Sequence, residues 1–472
     1  MAATPTPSQP PAQSRLARAV STVAKVEPGE LPAVLAAFFL FFFVLGSYFT
    51  VRPVRETIAT VLGREYVADL WLYTALFSIA IVPIFGWLVA KIRRSILLPC
   101  IYLSVAVILV VIAMYLRVDV DDIPVETLRA DPDYMRVGSM FYVWISVLNL
   151  MLISVFWSFL LEMFSSEQTK RLFGFIAAGG TAGALAGPIV TRLAVDSVGN
   201  AGVLYIATFG FLMAVVCQRI LVTIWSRPQS GDKTATPRSD RPLGGNPFAG
   251  ITKMVSVRVV WRLIPVLVFR SPYLWGIALF IVLLSCASTF LYFEQLRIVE
   301  EVFPDRTRRT EVFANIDIAV QSLTVVTQLF LTGRIAAAFG VRALLTIVPV
   351  VMVLGFTVLS FAATFPILAV VFILRRWGEY ALVRPGREML FSKLDTETKY
   401  KTKNFVDVPV YRSADYIGAQ AKTALDASGG PASAMIVAAA LAAMWAINGW
   451  LLGRKHDDMP RTSVRPAEAL AE

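Results

Sequence analysis

Two short stretches of this chain carry the side chains best suited to chemistry. One reads Tyr48-Phe-Thr-Val-Arg52-Pro53-Val-Arg55-Glu56 and the other Tyr380-Ala-Leu-Val-Arg384-Pro385-Gly-Arg387-Glu388, identical at six of nine positions. In each copy the Tyr, both Arg and the Glu fall at i, i+4, i+7 and i+8, which puts all four on one face of a helix. A guanidinium is a planar fork of donors that matches carboxylate and phosphate two bonds at a time, so arginines paired on one face point to recognition of an anion. A tyrosine one turn away could stack on a ring or hydrogen-bond to it. The proline between the arginines removes a backbone donor, which predicts a kink or local unwinding in each copy.

The elements that must position these residues follow from composition. Of 472 residues, 57% are hydrophobic and 16% charged, against roughly a quarter charged in soluble domains. A water-soluble enzyme is excluded. Apolar runs of bilayer-spanning length, about 20 residues each, recur along the chain, and in lipid only a helix or a closed barrel satisfies its own backbone. The sequence therefore predicts an all-α membrane protein with twelve transmembrane helices in two six-helix, pseudo-symmetric halves. The spans expected are 32–56, 69–90, 95–116, 139–163, 172–195, 201–225, 273–295, 313–332, 343–364, 366–388, 404–426 and 432–453.

Orientation follows from basic residues between spans. Lys91, Arg93 and Arg94 follow the second span, Lys170 and Arg171 the fourth, Arg227, Lys233, Arg238 and Arg241 the sixth, Arg334 and Arg342 the eighth. Lys393, Lys399, Lys401 and Lys403 follow the tenth, and Arg454 and Lys455 the twelfth. The loop after the third span is acidic, with Asp119, Asp121, Asp122, Glu126, Asp131 and Asp133; the loop after the seventh mixes Arg306, Arg308 and Arg309 with acids. Both termini are thus expected in the cytoplasm, in a multi-pass protein of the inner (plasma) membrane. The expected organisation is a disordered tail (1–30), a six-helix bundle (31–225), a linker (226–270), a second bundle (271–453) and a tail (454–472). Within the linker, the apolar stretch Phe248 to Arg270 carries Lys253, Arg258 and Arg262, which suits a helix lying in the membrane interface.

Other chemistries lack their residues. The single histidine, His456, lies beyond the last span, so neither a His-liganded metal site nor a Ser/His/Asp triad has a candidate. Cys100, Cys217 and Cys286 fall far apart in apolar segments and read as ordinary small hydrophobes. The formal charge of +11 resides largely in loops and tails, as membrane topology explains without invoking nucleic acid. No cofactor, no metal and no enzymatic activity are expected.

Intramembrane charge gathers in the first, fourth, seventh and tenth spans: Arg52, Arg55 and Glu56; Glu162; Glu294 and Arg297; Arg375, Arg376, Glu379, Arg384, Arg387 and Glu388. An ionised side chain facing lipid costs about 2.5–3.5 kcal/mol at mid-span, so these groups must face water, protein or ligand. One reading is a central aqueous cavity with opposed arginine pairs. The other is that the two motifs sit at opposite membrane interfaces and snorkel, paired with Glu56 and Glu388. Asp317, Asp415 and Lys422 are further intramembrane charges that could pair with cavity arginines. Gly179-x-x-x-Gly183-x-x-x-Gly187-Pro188 offers a small-residue face for close helix packing.

At these residues the chain resembles the nucleotide transporter (ATP:ADP antiporter) branch of the major facilitator superfamily. The resemblance is best from Arg384-Pro-Gly-Arg387-Glu388-Met389 to Lys401, Lys403 and Asp407, and good at Arg52-x-x-Arg55-Glu56, Glu294, and Phe156-Trp157 through Lys170-Arg171-Leu-Phe173-Gly174. It implies that Arg55, Arg387 and Glu294 take part in nucleotide exchange. Two departures bear on specificity: Arg55 and Arg387 stand where exchangers have Lys, and Val143 stands where they have a functional Glu.

Together these readings predict a secondary transporter that moves a small organic anion, a nucleotide or other phosphorylated metabolite, by alternating access, functioning as a monomer in the lipid bilayer. Arg52, Arg55, Arg384 and Arg387 would bind anionic groups, Tyr48 and Tyr380 a ring, and Glu294, Glu56, Glu388 and Glu162 would serve in coupling or gating. The rival expectations are a proton-coupled exporter of apolar compounds and a non-transporting sensor or scaffold on the same fold.

Overall fold

The computed structural model describes residue 27 and residues 30–116, 123–225, 271–394, 402–403 and 405–458. The expected tail up to residue 26, the linker 226–270 with its interfacial helix, the chain beyond 458, the acidic residues Asp119, Asp121 and Asp122, and Lys399 and Lys401 lie outside the described residues. The helices are α1 (Leu31–Leu62), α2 (Arg64–Lys91), α3 (Arg94–Leu116), the short α4 (Val125–Ala130), α5 (Pro132–Met163), α6 (Ser166–Trp225), α7 (Pro272–Val302), α8 (Arg306–Phe330), α9 (Thr332–Phe361), α10 (Phe365–Gly378), α11 (Arg384–Leu390) and α12 (Tyr411–Asp458). A π-helical turn, Glu379–Val383, joins α10 to α11, and another, Val406–Val410, leads into α12.

Nine of the helices among the described residues are long and apolar enough to cross a bilayer. Three of these contain a break: one, Gly340 (φ 70°, ψ −173°) in α9, parts only a short leading segment from the span, and the other two each divide a helix into two spans. In α6 the break is Gly199 (φ 65°, ψ −179°), and in α12 it is Gly430 (φ 75°, ψ 172°). That combination of angles is essentially open only to glycine, so each of these two glycines ends one span and starts the next. With α10, the π turn and α11 forming one more, the set is consistent with twelve spans. α12 also continues past residue 453, where the tail was expected to begin.

Close packing within the halves is written in small residues. A β-carbon on Gly179, Gly183 or Gly187 of α6 would collide with the backbone oxygens of Phe38, Phe42 or Gly46 of α1, so the expected small-residue face lets the two backbones touch. Thr191 Oγ1 then donates to Thr50 O at 2.9 Å. The halves repeat one another. Gly210 abuts Ser47 in the first, while Asn448 donates to Gly276 O at 3.0 Å in the second. Gln218 reaches Ser95 O at 3.0 Å, and Gly453 packs on the backbone of Arg342.

A continuous buried core runs through both halves, from Leu40, Phe156 and Phe211 to Phe280, Phe356 and Trp445. The outer surface is also apolar: Val107, Val111, Met114, Phe209, Leu354 and Phe361 are exposed. Hydrocarbon accepts such a surface and water does not, and the chain is a multi-pass membrane protein. The start of α1 and the end of α12 share one end of the bundle, the near end. There Glu30 holds Gln168 and Arg171, and His456 meets Tyr273. The opposite end, where α1 meets α2, is the far end.

Candidate functional site

At mid-depth the two halves meet through one carboxylate. Asp317 Oδ1 on α8 accepts a hydrogen bond from Arg52 on α1 and another from Arg376 on α10. Counting 1.5 Å per helical residue, Arg52, Asp317 and Arg376 all lie about 15 Å from the far end. Asp317 and Arg376 are buried, and the Arg52 side chain is 16% exposed. Beside them Arg55 pairs with Glu56 at 2.5 Å, donates to Ser146 at 3.1 Å and lies over the Tyr142 ring at 5.2 Å. Glu56 also accepts from Tyr292 on α7 at 2.8 Å, and Trp71 donates to Tyr142 at 2.8 Å. Tyr48 is buried one turn from Arg52.

The tenth span contributes a second layer. Glu379 pairs with Arg375, and with Arg384 at 3.6 Å. Arg384 stacks over the Tyr380 ring at 4.5 Å, and Arg376 approaches the same ring at 5.7 Å. Arg384 is the open member, its side chain 56% exposed. The π turn over Glu379–Val383 inserts a residue between these groups, rotating Arg384 and Arg387 relative to Arg375 and Arg376. Arg387 pairs with Asp407 at 3.5 Å and Glu388 with Lys403 at 2.6 Å.

These distances separate what the repeated motif suggested would converge. The first and tenth helices run in opposite directions, so the same motif falls toward opposite ends of the bundle. Arg384 and Arg387 sit on the order of 15 Å nearer the near end than Arg52 and Arg55, counting helical rise. The partner that meets Arg52 across the halves is Arg376, through Asp317. Tyr380 remains close to the group, while Glu388 lies exposed in the near-end layer and Glu162 half-buried at the near-end limit of α5. The expected unwinding at proline is seen only next to Pro385, because α1 continues unbroken through Pro53.

Glu294 belongs to a different cluster, about 12 Å from the far end by helical rise. It is fully buried and binds Lys422 at 3.2 Å as well as Arg297. Lys422 also binds Asp426 at 2.5 Å, and Arg64 reaches Asp426 at 3.4 Å. A cavity of about 70 Å³, lined by Arg64, Glu65, Phe293, Lys422 and Asp426, adjoins this cluster.

The far end is tied across the halves by polar contacts. Thr57 and Thr310 meet at 2.6 Å, Thr310 donates to Asn200 at 2.6 Å, Arg309 donates to Thr60 at 2.8 Å, and Arg129 binds Glu300 at 2.6 Å. Arg192 adds an ion pair to Glu311.

The mid-depth band has donors to spare. Among the described residues, Arg55 Nε, Arg375 Nε and Arg376 Nη2 are buried without a hydrogen-bond partner. Orphaned buried donors are rare and costly, and three on guanidinium groups in one region suit an anionic visitor. Among the described residues no group of three or more His, Cys, Asp or Glu is placed to hold a metal.

Comparison with solved structures gives a consistent result. A POT-family transporter in complex with a thioalcohol-conjugated peptide superposes with a TM-score of 0.60 at 13% identity, covering 90% of this chain and 96% of that one. The nucleoside transporter NupG gives 0.54 at 13% identity over 92% and 100% of the two chains. A bacterial homologue of the iron transporter ferroportin, in an inward-facing state, gives 0.58 at 12% identity over 89% and 98%. The fold is of the major facilitator type. No family model matches the chain, and no curated protein matches it.

Proposed function

We propose that this chain is a secondary transporter that moves an organic anion, a nucleotide or another phosphorylated metabolite, by alternating access, as exchange or with a proton. The observation that carries this reading is the mid-depth band in which both halves present largely buried guanidinium groups, Arg52 and Arg55 from one and Arg375 and Arg376 from the other, with unused donors on Arg55, Arg375 and Arg376. A buried arginine excess between two mobile halves is a costly arrangement for lipid-soluble cargo and a suitable one for phosphate. The motif's resemblance to the nucleotide transporter branch supports the same substrate class.

In this reading Arg52, Arg55 and Arg376 hold the anionic groups. Arg384 and Arg387 with Tyr380 line the approach from the near end, and Tyr48 packs behind Arg52. Glu294, locked to Lys422, serves coupling from the far end, and Glu56 with Tyr292 ties the band to the opposite half. The protein works as a monomer in the inner membrane with its near end in the cytoplasm, and it is not an enzyme.

A thermal-shift screen of purified protein tests this directly, because a ligand that binds only the folded state raises Tm. Nucleotides, pyrophosphate or phosphate esters should stabilise the wild type, and Arg376→Gln should abolish that shift while keeping a monodisperse protein. Stabilisation by lipophilic cations alone would replace the anion reading with the exporter of apolar compounds.

A further inference from the structure

Asp317 stands in neither copy of the arginine motif, yet it is the group through which the two halves are electrically joined. Arg52 and Arg376 donate to the same oxygen, Oδ1, and all three side chains are largely or wholly buried. The other nearby carboxylate, Glu56, is already committed: Arg55 is 2.5 Å away and Tyr292 donates at 2.8 Å, while Arg52 is 3.7 Å distant. Without Asp317, two buried guanidinium groups from opposite halves would face each other with half of one counter-charge between them. Buried unpaired charge is among the most destabilising arrangements a protein can hold.

We infer that Asp317 is an internal stand-in for the substrate's anionic group. In the empty carrier its carboxylate neutralises Arg52 and Arg376, so the halves can pass each other with nothing bound. In the loaded carrier the substrate's phosphate or carboxylate takes over one or both guanidinium groups. Asp317 therefore sets whether the protein performs net transport or strict exchange. A carrier with Asp317 returns empty, and one lacking its charge must carry an anion in each direction. This deepens the anion-carrier reading and rests on it. It assigns Asp317 a positioning role, acting through the arginines rather than touching cargo.

The test reads the empty protein first. In a background lacking Cys100, Cys217 and Cys286, spin labels at Ser197→Cys and Ala363→Cys, both exposed at the far end of opposite halves, report whether that end is tied or parted. Wild type in nanodiscs without ligand should show two distance populations. Asp317→Asn should lose the shorter one, in which Arg52 and Arg376 face each other, and millimolar pyrophosphate should restore it. Asp317→Glu should keep both populations. So should Asp317→Asn combined with Arg376→Gln, which removes the surplus cation and guards against a merely misfolded single variant. An empty wild type with one population, or an empty Asp317→Asn with wild-type proportions, overturns the inference. In proteoliposomes, with radiolabelled ADP as probe, Asp317→Asn should retain exchange and lose net efflux into ADP-free buffer. A wild type that moves no ADP removes the nucleotide from the function proposed above, and the distance measurement then decides the role of Asp317 by itself.

Discussion

Tyr142 on α5 and Tyr292 on α7 share a hydroxyl–hydroxyl hydrogen bond of 2.9 Å across the two halves, and Tyr292 passes it on to Glu56. The chain of contacts from Trp71 through both tyrosines to Glu56 and Arg55 couples the arginine band to the far-end closure. Each member orients the next, and buried networks of this kind are worth more than isolated pairs.

Tyr292→Phe keeps the ring packing against Trp71 and Phe293 and removes only the hydroxyl. The expected cost is roughly 1 kcal/mol from the lost bonds, seen as a Tm a few degrees lower. The far end should also part more often, measured as faster labelling of a cysteine introduced at Thr310. Unchanged labelling would show that the tyrosine pair does not hold that end closed.

Lys422 is 1% exposed and lies between two carboxylates, Glu294 and Asp426. Lys422→Met leaves those carboxylates buried without their shared cation, and breaking a buried pair costs on the order of 3–5 kcal/mol. The single variant should be markedly less stable in detergent. Adding Glu294→Gln should recover part of the loss, because neighbouring sites couple. A Lys422→Met protein as stable as wild type would mean that the cluster holds no net charge in the membrane.

Glu30, just before α1, ties the near end. Burial pushes its carboxyl pKa up, but hydrogen bonds from the Glu27 backbone, Gln168 and Arg171, with the Arg171 charge, outweigh that and hold it below its ordinary value of about 4.5. A depressed carboxylate adds stability that is fully present above the unfolded value and is lost as pH falls through the folded one. Tm should therefore be insensitive to this group from neutral pH to about 4.5 and fall below it. Glu30→Gln should lower Tm at neutral pH and flatten the acid limb of a Tm–pH curve. An identical limb in both proteins would assign acid sensitivity elsewhere.

Hydropathy made the spans legible because length and apolarity are what lipid demands, and each expected span falls largely within described helix, although 313–332 crosses the turn at Leu331, 343–364 runs past Phe361, and residue 404 lies outside the described residues. The ends were less legible. α1 runs to Leu62 rather than 56 and α5 begins at Pro132 rather than 139, since polar residues such as Thr57, Thr60 and Ser139 extend the helices by bonding to their own backbone or across the halves. The glycine breaks could have been found, as each follows a stretch of polar and small residues between two apolar runs. The site was half legible. Repetition picked out Arg52 and Arg55, but a motif has no direction, and reversing the tenth helix carried Arg384 and Arg387 away from them. Arg376 stood in the same span without a motif to mark it. Asp317 has no repeat and no neighbour in sequence that announces its role; its meaning comes only from three helices converging at one depth.

Gly199 and Gly430 occupy matching corners, one in each half, and neither leaves any length of chain to spare between its two helical legs. Residues 187 and 210, on the two legs of the first, both touch the same turn of α1. Each leg pair is therefore a strut bent double: one arm cannot slide past the other without prising open a bend one residue wide. Whatever movement the molecule makes must carry both arms of each strut as a single piece.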